Sequence, residues 1–287
     1  MAFRTDLAME CCDTLKDSLP GGICRSSYTF DEICVETVEI TEDEAAQALG
    51  KPKGKYITIT TPHFASSRDV SDDEINKIAQ EIRGLLPESG TVLVVGLGND
   101  DITPDAIGPR TAHQILATRH IDKNAAMQAG LGELRPTAAL VPGVLGQTGI
   151  ESSQIVLALV KAIQPSAVIV VDALAARSVS RLGNTIQISN SGISPGSGVM
   201  NTRKELSRQT LGVPVISAGI PTVVDAATLI GDLLGGEPEL DDSCFGMMVT
   251  PRDIDQLIGH ACRTLALAMN RALQKELSFE VISYLMS

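Results

Sequence analysis

Two runs of apolar, mostly β-branched residues constrain this chain more than anything else in it: Thr91-Val-Leu-Val-Val95 and Ala167-Val-Ile-Val-Val171. Neither alternates polar with apolar. Short continuous apolar runs bounded by turn residues belong to strands covered on both faces. Helical patterns lie between and after them. A Gly-rich turn follows Val95, and then a helix carrying Ile107, Ile115 and Leu116. Ala138–Val141 reads as a further strand, and Glu151–Ile163 as a helix with Ile155, Leu159 and Ile163 in register. Thr185–Ser189 and Pro214–Ile220 read as strands. Pro221–Leu234 and Pro251–Leu273 read as helices, each opened by a proline in its first turn. Buried strands alternating with helices imply βαβ units. The expected class is therefore α/β: a mostly parallel central sheet with helices on both faces.

The residues before Thr91 add an N-terminal β-containing segment. The first ~28 residues are polar and weakly periodic, as an extended or poorly packed leader would be. Tyr28–Ile40 alternates and reads as one strand with a wet face. Thr41–Leu49 reads as a short helix with Thr41 and Glu44 as a capping box and Gly50 as its stop. Gly54–Thr61 is rich in strand formers. Ser71–Leu86 has a Ser cap, Glu74 three residues on, and Ile75, Ile78, Ile82 and Leu85 at helical spacing. There is no internal repeat.

Charge narrows the function classes. Lys+Arg is 23 against Asp+Glu 35, a formal net charge of −12. An acidic surface repels phosphate backbones, so direct nucleic-acid binding is not expected. Aromatics are only 3% of the 287 residues, too few for a base-stacking platform. The first residues form no apolar signal core, and no apolar run is long enough to span a bilayer. A cytoplasmic location and no membrane partner are expected. Cys11, Cys12, Cys24, Cys34, Cys244 and Cys262 form no C-x-x-C and read as reduced thiols.

In an open parallel sheet, ligands gather beyond the carboxyl ends of the strands. Thr91–Val95 is followed by Gly96-Leu-Gly-Asn99-Asp-Asp-Ile-Thr-Pro-Asp105, and Ala167–Val171 by Asp172-Ala-Leu-Ala-Ala-Arg177. With both strands parallel in one sheet, Asp105 and Asp172 project at one edge. Two carboxylates there can split their roles, one holding a proton while the other acts as base. Asp105, at the start of its helix, is expected to be the more acidic. On composition alone, two unrelated helix-cap aspartates are the more common reading of the same residues.

Other motifs lead elsewhere. Gly96-Leu-Gly98 fails G-x-G-x-x-G because Asp101 stands at the sixth position, and Asp100 with Asp101 would repel a pyrophosphate. These glycines read as packing positions. Gly192-Ile-Ser194-Pro-Gly196 matches G-x-S-x-G, but Pro195 has no N–H for an oxyanion. His63, His113, His120 and His260 have no metal-ligand spacing; His113 and His120, if on one helix, are ~10 Å apart in rise. His120 at a helix C-terminus would be favoured as a cation. Arg4–Glu10 is expected to be exposed and open to proteolysis.

Several long blocks resemble the spore germination protease family: Thr103-Pro-Asp105-Ala-Ile-Gly-Pro109, Thr118-Arg-His120, Val141–Glu151, Val171-Asp172-Ala-Leu-Ala-Ala-Arg177-Ser, Ser191–Val199, Gly219–Ala226 and Met248–Asp255, with the leader Arg4-Thr-Asp-Leu-Ala-Met-Glu10. The resemblance runs nearly end to end. It implies a fold similar to the hydrogenase-maturation peptidases. It implies an endopeptidase that degrades small acid-soluble spore proteins during germination, made as a self-trimming zymogen and assembled as a homotetramer in the forespore or spore core. It carries catalytic aspartates onto Asp105 and Asp172, with His120, Glu151, Asn99 and Arg177 as supporting candidates. It implies no cofactor, although metallopeptidase labels also exist for the family. Its substrates are cut after an acidic residue and before an apolar residue followed by Ala, a form that Asp6-Leu7-Ala8 shares. Residues 1–6 are then a propeptide and 7–287 one peptidase domain, with 7–90 its N-terminal portion and 91–287 its catalytic core. Relatives carry a longer segment where this chain has Leu234–Phe245. Two other readings stand beside the aspartate pair: the same carboxylates holding a divalent ion and its water, and a non-catalytic nucleotide- or metabolite-binding module on the Gly96–Asp101 turn.

Overall fold

The two valine-rich runs lie side by side and parallel, with Val92 opposite Ala167 and Gly96 opposite Val171. The structure is a computed structural model that describes residues 4–15, 19–61, 70–194, 204–234 and 246–287. Among the described residues nine strands form one sheet. They are β1 (Ile23–Phe30), β2 (Ile33–Ile40), β3 (Gly54–Thr60), β4 (Val92–Gly96), β5 (Thr137–Leu140), β6 (Ala167–Ala176), β7 (Thr185–Ser189), β8 (Val215–Asp225) and β9 (Met248–Val249). Their order is β1-β2-β3-β7-β8-β6-β4-β5, with β9 on β8. β5, β4, β6 and β8 run parallel to one another. β1, β2, β3 and β7 continue the sheet antiparallel, and β7 joins β8 the same way. The 7–90 portion is thus bonded into the core sheet through β3 and β7.

The helices are α1 (Ala8–Leu15), α2 (Asp43–Leu49), α3 (Asp72–Leu85), α4 (Ile107–His113), α5 (Lys123–Gln128), α6 (Leu145–Thr148), α7 (Ser152–Ile163), α8 (Arg208–Leu211), α9 (Ala226–Leu234), α10 (Ile254–Leu273) and α11 (Phe279–Leu285). Strand residues alternate between faces. Val92, Val94, Ile169 and Val171 pack with Ile75 and Ile78 of α3, Ile107 of α4 and the buried face of α10. Leu93, Val95, Val168 and Val170 pack with Val156 and Val160 of α7 and Leu211 of α8. Helices therefore cover both faces, as the unbroken apolar runs require. Among the described residues no helix is long and apolar enough to cross a membrane.

Several expectations need correction. Tyr28–Ile40 is not one strand but parts of β1 and β2, which turn at Asp31 and Glu32 with Phe30 opposite Ile33. Asp31 has φ +48°, which Asp tolerates better than most residues, so no glycine marks the turn. The Thr41 capping box does not form; α2 is capped at Glu42 without a side-chain bond, while Gly50 does end it in the left-handed region. The capping box of α3 is present on Ser71 and Glu74. Pro221 does not open a helix but lies inside β8, opposite Leu174. It is tolerated because β7 pairs no further along β8 than Gly219, and a register shift follows at Leu174/Ala175.

The leader departs most. It is neither extended nor poorly packed: Ala8–Leu15 is helical, and Leu7, Ala8, Met9, Glu10 and Cys12 are buried. Cys11, Cys12, Cys24, Cys34 and Cys262 are free thiols. Burial lifts the Cys262 thiol to about 11, as befits a small apolar filler.

Candidate active site

β6 outruns its neighbour. β4 ends at Gly96, opposite Val171, whereas β6 pairs with β8 through Ala176. The sheet therefore has a step, and Asp172 is the first β6 residue beyond it. Sequence reading ended this strand at Val171; Asp172 instead lies inside it, 6% exposed. Its Oδ1 accepts the Ala173 N–H at 3.0 Å. By alternation its side chain shares a face with Val168 and Val170.

The chain leaving β4 folds back onto this step. The Leu97 N–H donates to the Val171 carbonyl at 2.8 Å, extending the ladder by one bond. The segment then makes a short 3-10 turn, Thr103–Asp105, which packs against β6 and β8. Thr222 of β8 donates its hydroxyl to the Pro104 carbonyl at 2.7 Å. Thr103 Oγ1 donates to Asp255 Oδ1 of α10 at 2.9 Å. Half-buried Asp105 takes the Asn99 N–H on Oδ2 at 2.8 Å. The turn that bears Asp105 is thus anchored to the strand that bears Asp172 and to that strand's neighbour.

The glycines make this return possible. A Cβ at Gly108 would stand 2.0 Å from the Leu97 carbonyl and 2.5 Å from that of Val171. Gly98 has φ +112°, and a Cβ there would meet the Asp105 carbonyl at 2.1 Å. They are close-approach positions between strand and helix, as the failed nucleotide fingerprint suggested.

The supporting candidates divide. Asn99 joins Asp105; its Oδ1 also accepts from Gln147 Nε2 at 2.9 Å, and Gln147 donates to Asp101 Oδ2 at 3.0 Å. Sequence reading missed Gln147, which no local pattern distinguishes. Glu151, the N-cap of α7, lies on the same carboxyl side of the sheet, beyond β5 and α6. His120 does not belong with them. α4 stops at His113, so His120 caps no helix. It is exposed beside Arg119, whose N–H reaches the Thr137 carbonyl at the amino end of β5. That is the opposite sheet edge. Arg177 is committed elsewhere: its guanidinium pairs with Asp232 of α9 at 2.8 Å. His63, Pro195, Gly196 and the shortened segment after Leu234 lie outside the described residues. Among the described residues, no three His, Cys, Asp or Glu side chains gather as a metal-ligand group.

The leader docks on the same strand. The Asp6 N–H donates to the Ala175 carbonyl and the Ala175 N–H to Asp6 Oδ2, both at 2.8 Å. The Asp6 carbonyl accepts from Gln187 Nε2 at 2.8 Å and from Lys51 Nζ at 3.1 Å. Gln187 Oε1 takes the Ala8 N–H at 2.7 Å, so one amide side chain brackets the Asp6–Leu7–Ala8 backbone. Leu7 is fully buried among Leu174, Ala176, Leu182 and Val224. The expected exposure of Arg4–Glu10 is therefore incorrect. Beside the leader lies a cavity of about 160 Å³, lined by Asp6, Lys51, Tyr56, Gln187, Ser217 and Gly219 among others, but not by Asp105 or Asp172.

A family model described as germination protease matches residues 8–235. The chain belongs to the germination protease family. The germination protease of Clostridium perfringens is 38% identical over 319 aligned positions, covering 98% of both chains. That of Caldanaerobacter subterraneus is 37% identical, covering 100% of this chain and 98% of its own. That of Priestia megaterium is 43% identical, covering 81% of this chain and 66% of its own. Among solved structures, the [NiFe] hydrogenase maturation protease HycI of Thermococcus kodakarensis matches with a TM-score of 0.40 and 16% identity, over 67% of this chain and 98% of that one.

Proposed function

We infer that this chain is an endopeptidase of spore germination, with small acid-soluble spore proteins as substrates and the spore core as its place of action. The near full-length relation to germination proteases supports the peptidase activity. The catalytic reading rests on the step in the sheet, where Asp172 and the anchored Asp105 turn meet at one carboxyl edge. One carboxylate takes a proton from a water as its oxygen attacks the peptide carbonyl. The other gives its proton to the departing nitrogen, so the C–N bond breaks to a carboxylate and an amine. The roles of base and acid are assigned to the pair and not to either residue. Asn99 fixes Asp105 through its N–H.

Residues 1–6 act in this reading as a propeptide cut between Asp6 and Leu7, leaving 7–287 as one peptidase domain that assembles as a homotetramer. The leader docks on β6 three residues beyond Asp172, about 10 Å along the strand. It is a tethered, substrate-like segment at high effective concentration. Because Leu7 is buried, cutting this bond first requires the leader to open locally.

Asp105→Asn and Asp172→Asn, each assayed on a peptide containing Glu-Phe-Ala or Asp-Leu-Ala, test the chemistry. Each is expected to lose cleavage by ~10³-fold or more with its circular dichroism unchanged. Retained cleavage in either would refute the pair. Mass spectrometry of fully active protein should find Leu7 first; an intact Met1 would refute the propeptide.

A further inference from the structure

We propose that Glu10 is the binding site for the α-ammonium group that appears on Leu7 when the Asp6–Leu7 bond is cut; this rests on the cleavage site proposed above. Glu10 is 5% exposed, on the first turn of α1. Its Oε2 accepts the Arg177 N–H at 2.7 Å and its Oε1 the Ser178 N–H at 3.0 Å. Its third donor is the Thr5 hydroxyl. That same Thr5 oxygen accepts the Leu7 N–H at 3.0 Å. The peptide nitrogen of the bond to be cut is therefore one hydroxyl away from a buried carboxylate.

Hydrolysis would remove that hydroxyl and charge the nitrogen in one event. Water oxygen joins the Asp6 carbonyl carbon, the C–N bond breaks, and the Leu7 nitrogen takes up both water protons to become –NH3+, leaving Asp6 with a free carboxylate. Thr5 departs with residues 1–6, and Glu10 loses a donor where a cation with three donors has just formed. The rest of α1 stays seated, because Leu7 is enclosed by Leu174, Ala176, Leu182 and Val224 and the Ala8 N–H remains on Gln187. The new charge needs a partner there. A cation at a helix N-terminus opposes the dipole, and Lys51, which now donates to the Thr5 and Asp6 carbonyls, adds a second positive charge nearby. Glu10 supplies the compensating carboxylate. It already holds the N–H groups of Arg177 and Ser178, just beyond the end of β6. Exchange of a hydroxyl for an ammonium would thus register the loss of the leader on the strand that carries Asp172.

The probe is the Leu7 amine itself. A protein beginning at Leu7 is obtained from the folded full chain, by its own maturation or by a tag protease whose site replaces residues 1–6. Its α-amine is titrated by NMR and by reaction with an amine reagent. An ordinary α-amine titrates near ~7.7–8.0. We expect a value at least ~1 unit higher and labelling at least ~10-fold slower than in the same protein carrying Glu10→Gln. Acetylating the Leu7 amine leaves every side chain in place and should lower the melting temperature by ~2–4 °C. An amine that titrates in the ordinary range, labels as fast as in Glu10→Gln and is indifferent to acetylation would overturn the proposal. A natural terminus other than Leu7 would instead refute the cleavage site, and the amine measurements read the pairing separately.

Discussion

The turn after β4 and the amino-terminal leader both use carboxylates to collect backbone N–H groups, but they collect them from different distances. Asp105 takes the N–H of Asn99, six residues away. Asp6 takes that of Ala175, 169 residues away, and Glu10 takes those of Arg177 and Ser178, 167 and 168 residues away. The first arrangement is a local cap that a short stretch of sequence encodes by itself. The second exists only once β6 has formed. The β4 turn is accordingly part of the frame, and the leader is a segment fitted onto that frame.

Substitutions at the two places should therefore fail differently. Gly108→Ala drives a Cβ into the Leu97 and Val171 carbonyls, neither of which can move without breaking the β4–β6 step. We expect a loss of ~3 kcal/mol or more in global stability by denaturant unfolding. A near-neutral result would show that the turn is not part of the frame. Leu7→Ala empties a fully buried site at the leader end. It should cost ~2–4 kcal/mol, felt first as opening of α1 in hydrogen exchange and only then in global unfolding. Equal loss of protection in β4 and α1 would erase the distinction. Gln187→Leu removes both arms of the clamp on Asp6 and Ala8. At ~1–2 kcal/mol for those bonds, the Ala8 amide should exchange roughly tenfold faster, with β4 amides unaffected.

The same difference in distance explains what the sequence made legible. The strands β4, β6 and β7 and the cap of α3 are written in contiguous residues: unbroken apolar runs, Thr185–Ser189, and Ser71 with Glu74. The parallel-sheet rule and the family resemblance single out Asp105 and Asp172 as candidates, and the structure brings the Asp105 turn against the strand of Asp172. That Asp172 lies within β6 was not legible, because what sets it beyond the step is the early end of β4, a property of the neighbouring strand. Pro221 reads as a helix opener in isolation; only the end of β7 and the register shift opposite make it a strand residue. His120 lies at the sheet edge opposite Asp172, a placement that depends on the direction of β5. The leader hid its order for the same reason: Leu7 finds its contacts on Leu174, Ala176 and Val224, and Ala8, Met9 and Cys12 find theirs on β2, α2 and β3, none of which the leader's own sequence announces.

The most direct test is a cycle of three variants: Asp105→Asn, Asp172→Asn and the two together, each assayed for digestion of a spore-protein peptide. Groups that act as one unit are not additive. We expect the double variant to be no slower than the worse single one, all three sitting near the uncatalysed rate. Losses that multiply, or a doubly neutralised protein that still digests its target, would contradict a shared site at the step in the sheet.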